Sequence, residues 1–259
     1  MVSAVLGTAT TTKSDSASRR GNCSEVRSSS AGDGFTPAWK RLLPDAGAVE
    51  RHLGIGPGDP HRRLLDRSWS RTGPSENWLS WRWRGADRGG QDGRLAAGGA
   101  TWKLYLSPAP EALAEGFGRI LDALAAARAP QFKIGSAAAG LLRPDKMVAY
   151  FPSFERLAAA AEALTERLAG TPAQGVPFTS EIAGGGLLSW GIDPPAGSPW
   201  SGSESWRLWL THRLAVALLS GKNAGGSGVE PWRFALERLR LEGVDTDSWT
   251  PGGTLFREA

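Results

Sequence analysis

The sequence predicts a single α+β domain: a mixed, largely antiparallel sheet with helices packed on one face, preceded by a disordered N-terminal tail. Three observations predict it. Segments of alternating apolar and polar residues are interspersed with segments of helical period, without the strict strand–helix alternation of a parallel sheet. The chain has 259 residues, 41% hydrophobic and 22% charged, which suits a domain with one substantial core. Residues 1–34 are rich in Ser, Thr, Ala and Gly with almost no large apolar groups, so they bury too little surface to offset their ordering entropy. The expected boundaries are a tail at 1–34 and one domain at 35–259. Within it lie an Arg/Trp-rich subregion (35–99), a motif-bearing core (100–220) and a C-terminal helix and tail (221–259).

The elements follow in order. Phe35, Trp39, Leu42 and Leu43 have helical spacing, and residues 54–60, Gly-Ile-Gly-Pro-Gly-Asp-Pro, read as a loop. Asn77 to Arg84 alternates, with Leu79, Trp81 and Trp83 on one face, and Gly85 to Gly99 is a Gly/Asp-rich loop. Thr101 to Leu106 alternates again. Pro108 and Pro110 introduce a helix from Glu111 to Arg128 with a stripe of Leu113, Phe117, Ile120, Leu121 and Leu124. Gln131 to Ile134 and Lys146 to Phe151 are short strands, and Ser153 caps an Ala/Leu-rich helix ending near Gly170. A Gly/Pro-rich region (170–204) separates these from two last helices, Ser205 to Leu219 and Pro231 to Leu241. No repeat of 20–50 residues is visible.

Composition excludes several classes. No run approaches the roughly 18–20 apolar residues of a membrane span, and Met1 to Arg20 has no apolar core of a secretory signal. The single cysteine, Cys23, rules out an intrachain disulfide. A cytoplasmic protein is therefore expected. The net charge of +4 is local, because residues 51–94 hold nine Arg against five acidic residues. No nucleic-acid or membrane partner is expected; the Arg cluster reads as a solvated face or a docking site for an acidic leader peptide.

Scarce residues say more. Only six of the 30 basic residues are Lys, and three of them, Lys103, Lys133 and Lys146, fall between positions 103 and 146 with both tyrosines, Tyr105 and Tyr150, nearby. Residues two apart in a strand share a face, so Lys103 joins Tyr105, Lys133 joins Gln131, and Lys146 joins Tyr150. If the strands pair with apolar faces together, three Lys and two Tyr converge on the other face, with Arg143 beside them. Such lysines also suit a solvated or edge-protecting role. The alternative is an anion site in which neighbouring cations hold one amine neutral enough to act as a base.

The segments also resemble a known family. Trp102-Lys103-Leu104-Tyr105-Leu106-Ser107, Phe132-Lys133 and Lys146 to Pro152 resemble three strands of the phosphothreonine lyase domains of type III effectors and of class III and IV lanthipeptide synthetases. Arg143-Pro144-Asp145 through Tyr150 resembles the Arg-x-Asp segment of Hop-type effector-family lyases, the lyase subunits of class V synthetases. Pro177-Phe178-Thr179 and Ser205-Trp206-Arg207 with His212-Arg213 echo later elements of that group. The resemblance covers about residues 100–220. It implies β-elimination of phosphate from phosphothreonine or phosphoserine without metal or organic cofactor. Lys133 would be the base, with Lys103 orienting substrate or stabilising the enolate. Arg143, Lys146, Tyr150, Arg207 and Arg213 would bind phosphate and substrate. The family's His general acid is Tyr105 here, and its glycine in the Ser-Phe-Gly element is Arg207. Tyr105 or another group such as His212 would fill the acid's role.

The implied partners are a phosphorylated precursor peptide, a separate peptide kinase and a cyclase, since no kinase signature is visible in this chain. A second reading is a non-catalytic subunit that holds a phosphorylated or leader peptide. His52, His61 and His212 have no metal-ligand spacing, and Gly184-Gly185-Gly186 lacks the Lys-Ser/Thr of a phosphate loop. Trp200, Trp206 and Trp209 suit a peptide groove or, for the latter two, core; Trp232, Phe234 and Trp249 are expected in the core.

Overall fold

A computed structural model describes residues 35–73, 75, 77–85, 101–193, 204–223, 228–252 and 255. The expected tail, Cys23, Trp200 and the loop beyond Gly85 lie outside the described residues.

Seven strands form the main sheet: β1 (Trp69–Arg71), β2 (Trp78–Trp83), β3 (Thr101–Leu106), β4 (Gln131–Gly135), β5 (Met147–Phe151), β6 (Ser180–Ile182) and β7 (Leu188–Asp193). Their order is β1-β2-β4-β5-β3-β7-β6, and every neighbouring pair is antiparallel. The helices are α1 (Phe35–Leu42), α2 (Ala46–His52), α3 (Arg62–Ser68), α4 (Pro110–Ala126), α5 (Ala138–Leu141), α6 (Phe154–Arg167), α7 (Trp206–Asn223) and α8 (Pro231–Leu241). A two-stranded ribbon, β8 (Val244–Asp245) with β9 (Thr250–Pro251), follows α8. The α+β class is as expected.

The long helix α4 starts on Pro110, whose missing N–H costs nothing there, with Glu111 in its first turn. Its expected stripe is fully buried. Ser153 caps α6 by accepting the Arg156 N–H. These two helices pack with the apolar sides of β3, β4 and β5 in one core containing Leu104, Leu106, Phe132, Ile134, Met147 and Phe151. The opposite sheet face is left for polar groups.

Several elements were not expected. The Gly/Pro-rich stretch contains the β6–β7 hairpin, in which Gly184, Gly185 and Gly186 take φ of +76°, +80° and +73°. A side chain would strain that turn, so these glycines shape a hairpin and not a nucleotide cradle. The helices α2 and α3 and strand β1 occupy the Arg-rich subregion, where short lengths hide any period. Their arginines are largely surface groups, with Arg62 paired to Asp66 at 2.9 Å and Arg71 to Glu50 at 2.5 Å.

A second cluster joins Trp206, Trp209 and Leu210 of α7 to Leu239 of α8, with Val244 and Leu255. Trp232 and Phe234, expected in the core, are instead exposed. The inward face of α8 is set by Ala235 and Leu239, and Arg233 lies 5.1 Å from the Trp232 ring. Leu42 of α1 is likewise exposed, whereas Trp39 and Leu43 are buried. Among the described residues, no helix is long and apolar enough to cross a membrane.

Candidate active site

Antiparallel register puts residues directly opposite one another on the same face. One row across the sheet therefore runs Ser80, Lys133, Val148, Tyr105 and Ser189, and the next runs Arg82, Gln131, Tyr150, Lys103 and Gly191. The expected convergence of Lys103, Lys133, Tyr105 and Tyr150 is thus built by the pairing of β4, β5 and β3. Lys133 Nζ sits 4.3 Å from the Trp78 ring centroid and 5.6 Å from that of Tyr150. Lys103 Nζ lies 5.7 Å from the same Tyr150 ring.

Two carboxylates organise the other cations. Asp145, on the turn before β5, accepts from Arg143 Nε and Nη2 at 2.8 Å each and pairs with Arg207 Nη1 at 2.7 Å. Burial pushes the Asp145 carboxyl up, but the Arg143 bonds and the Arg207 charge together hold it below its ordinary range. Asp193, at the end of β7, pairs with Lys103 through one oxygen. Its other oxygen accepts the Trp206 N–H at 3.0 Å, where α7 begins. The start of α7 is thereby held to the polar face by both carboxylates. Arg207 itself stands 5.9 Å from the Tyr105 ring and donates to the Pro177 carbonyl at 3.1 Å.

Lys133 is half-buried, and its amine is pushed down to about 8 by burial and then by the Lys103 charge, with Arg143 adding to the effect. Asp145 and Asp193 oppose this without reversing it. Tyr105 and Tyr150 are both pushed up, by burial first and then by Asp193. Their phenols stay protonated at any working pH. Tyr105 is only 3% exposed and packs against Val148 and Val176.

Two expected substrate-binding residues are elsewhere. Lys146 is fully buried one residue ahead of β5 and donates to the Pro108 carbonyl at 2.9 Å and to Gln174 Oε1 at 2.5 Å. Its amine is pushed down to about 8 by burial. Strand alternation aims it correctly, but the segments after β3 and α6 close over it. Lys146 thus ties two loops together. Replacing it with Ala leaves a void and two acceptors without their donor, and is expected to cost about 3 kcal/mol, read as a lower urea midpoint. Arg213 points away along α7, pairing with Glu242 at 2.9 Å and stacking 4.4 Å from the Trp209 ring. His212 is an exposed residue 3.3 Å from Glu204, so Tyr105 is the acid candidate at the polar face.

Trp78, Asp145 and Asp193 escaped notice as site residues. Trp78 was findable, because alternation puts it with Ser80 opposite Leu79 and Trp81. Asp193 was hidden with its unrecognised strand. Among the described residues, no group of three or more His, Cys, Asp or Glu side chains could hold a metal ion.

No protein-family model matches the sequence, and no curated protein does. Among solved structures, an effector protein from Pseudomonas syringae pv. tomato overlaps with a TM-score of 0.45 and 14% identity, covering 68% of this chain and 63% of that one. The chain thus spans less than two thirds of that effector's length. A second effector, from Pseudomonas syringae pv. syringae, gives 0.44 and 17% identity over 74% of this chain and 68% of that one. The phosphothreonine lyase SpvC from Salmonella gives 0.38 and 12% identity over 61% of this chain and 84% of that one. At these scores the likeness is coarse.

Proposed function

We propose that this chain is a phosphopeptide lyase, which converts phosphothreonine or phosphoserine of a ribosomal precursor peptide into dehydrobutyrine or dehydroalanine during lanthipeptide-type biosynthesis. The observation that carries this reading is Lys133: a half-buried amine pushed down to about 8 on the polar sheet face, with Lys103 and Arg143 as the cations that act on it.

The chemistry matches what those groups can do. Asp145 holds the Arg143 and Arg207 guanidiniums side by side, a pair of positive charges that attracts phosphate oxygens, and Tyr150 lies between the two sheet lysines. Neutral Lys133 takes the proton from Cα of the phosphoresidue. The electrons left behind form the Cα–Cβ double bond, the Cβ–O bond breaks, and phosphate departs with that bonding pair toward the guanidiniums. Lys103, in the adjacent row, stabilises the charge that develops on the substrate carbonyl. Tyr105, kept protonated, supplies the acid to the leaving oxygen. A separate kinase installs the phosphate, and a cyclase acts on the dehydrated product. The elimination itself calls for no cofactor.

The depth of Tyr105 favours a second reading, in which the same cations hold a phosphorylated or leader peptide without turning it over. Incubation with a phosphothreonine peptide followed by mass spectrometry separates the two. Loss of the elements of phosphoric acid is expected. Phosphopeptide that stays intact while bound would establish the binding subunit instead.

A further inference from the structure

The cations of the polar face are held in place by different means. Lys103 is held by Asp193, Arg143 by its two bonds to Asp145, and Arg207 by Asp145 and the Pro177 carbonyl. Among the described residues, Lys133 has no hydrogen bond or ion pair. Its amine is located by rings, at 4.3 Å from the Trp78 centroid and 5.6 Å from that of Tyr150. A lysine side chain left to solvent spreads over many rotamers, whereas a base has to meet one Cα proton. The nearer of the two rings is the one that can supply that order.

The same indole also receives Arg143, whose guanidinium carbon stands 5.7 Å from the Trp78 centroid, inside the roughly 6 Å over which a ring face attracts a cation. The fold brings the two together by a close backbone approach. Trp78, half-buried at the start of β2, pairs with Gly135 at the end of β4. A Cβ on Gly135 would stand 2.5 Å from the Gly140 carbonyl carbon, so α5 lies against the end of β4 at backbone distance. The chain leaving α5 then carries Arg143, three residues after Gly140, to the indole. Arg143 is among the charges that push the Lys133 amine down, after burial and Lys103, so the two cations repel. A ring that attracts both offsets that repulsion.

We propose that Trp78 is a positioning residue of this site, whose indole holds the Lys133 amine and the Arg143 guanidinium together so that base and phosphate-binding cation meet one phosphoresidue. The inference rests on the phosphopeptide reading above. Trp78 acts through its two cations, and its removal should therefore be felt in phosphate binding and in turnover alike.

The test compares Trp78→Leu with Trp78→Phe. Both keep an apolar side chain, but only Phe keeps a ring face. Binding is read by calorimetry with a peptide carrying the phosphonate analogue of phosphothreonine, in which a methylene replaces the bridging oxygen, and turnover with the phosphothreonine peptide. Trp78→Leu should weaken binding about tenfold and lower kcat about tenfold as well, and Trp78→Phe should recover most of both losses. Trp78→Thr, a ring-free side chain favoured in strands, should repeat the Leu result. Because Trp78 acts through its cations, Trp78→Leu should add little to the binding loss of Arg143→Ala and little to the kcat loss of Lys133→Ala. Leu and Phe variants that behave alike, or a Leu defect undiminished in those two backgrounds, would overturn the positioning role. Elimination at the wild-type rate by Trp78→Leu would overturn it while keeping the lyase reading. Phosphothreonine peptide left intact by the wild type, with the Trp78 dependence of binding present, would remove the lyase reading and keep Trp78 as the residue that places Arg143.

Discussion

Lys133→Ala is expected to lower kcat/KM for a phosphothreonine peptide by about 10²–10⁴-fold, the range in which a positioned general base contributes. The unfolding midpoint should stay near that of the wild type, because the Lys133 amine makes ring contacts to Trp78 and Tyr150 on an accessible face. Lys133→Arg restores the cation but cannot act as a base, since a guanidinium does not deprotonate in proteins. It should be as inactive as the alanine variant. The pH profile supplies the independent check. The base works as the neutral amine, so kcat/KM should rise about tenfold per pH unit below the amine's value of about 8 and level off above it. The second ionisation of a phosphate monoester, near 6, is too low to produce that limb. Full activity in Lys133→Ala, or a profile flat between about pH 6 and 9, would refute the assignment.

The parts of this site that were readable from sequence are those governed by period-2 geometry. Thr101–Leu106 has the boundaries the alternation indicated, and Lys103 with Tyr105 and Lys133 with Gln131 fall on the faces it assigned. Pairing order was not readable. Nothing local to residues 131–151 says that β5 runs between β4 and β3, yet that arrangement brings Lys133 and Lys103 to the same tyrosine ring. Alternation also says nothing about what lies over a side chain. Lys146 has the correct parity, but Pro108 and Gln174, 38 and 28 residues away, enclose it. In β7 the signal itself fails: Leu188 and Ser189 are both buried, as are Gly191 and Ile192, so the strand shows no polar face to read. With β7 went Asp193 and the anchoring of α7. That anchoring brings Arg207 to a residue 62 positions earlier in the chain.

Removing the charges around Lys133 should move its pH limb in opposite directions, a result that mere loosening of the site would not produce. The Asp145 carboxylate stabilises the protonated amine, and the Lys103 ammonium opposes it. Asp145→Asn deletes the stabilising charge, so the amine's pKa falls and the acid limb moves below about 8. Lys103→Met deletes the opposing charge, so the pKa rises and the limb moves above about 8. Both variants should also lose rate. Asp145 is a positioning residue that aims two guanidiniums, and freeing them is expected to cost about 10²-fold in kcat/KM, mainly through weaker phosphate binding. In the proposed elimination Lys103 stabilises the charge that develops on the substrate carbonyl, so its loss should fall more on kcat. Asp145→Asn also carries a stability signature. The carboxyl's folded value lies below its ordinary one, so the wild type holds extra stability above the unfolded value, which it loses as the pH falls through the folded value. The variant should lack that acid-range dependence. Limbs displaced in the same direction in both variants would mean that Lys133 does not sense these two charges and is not the group titrating in the reaction.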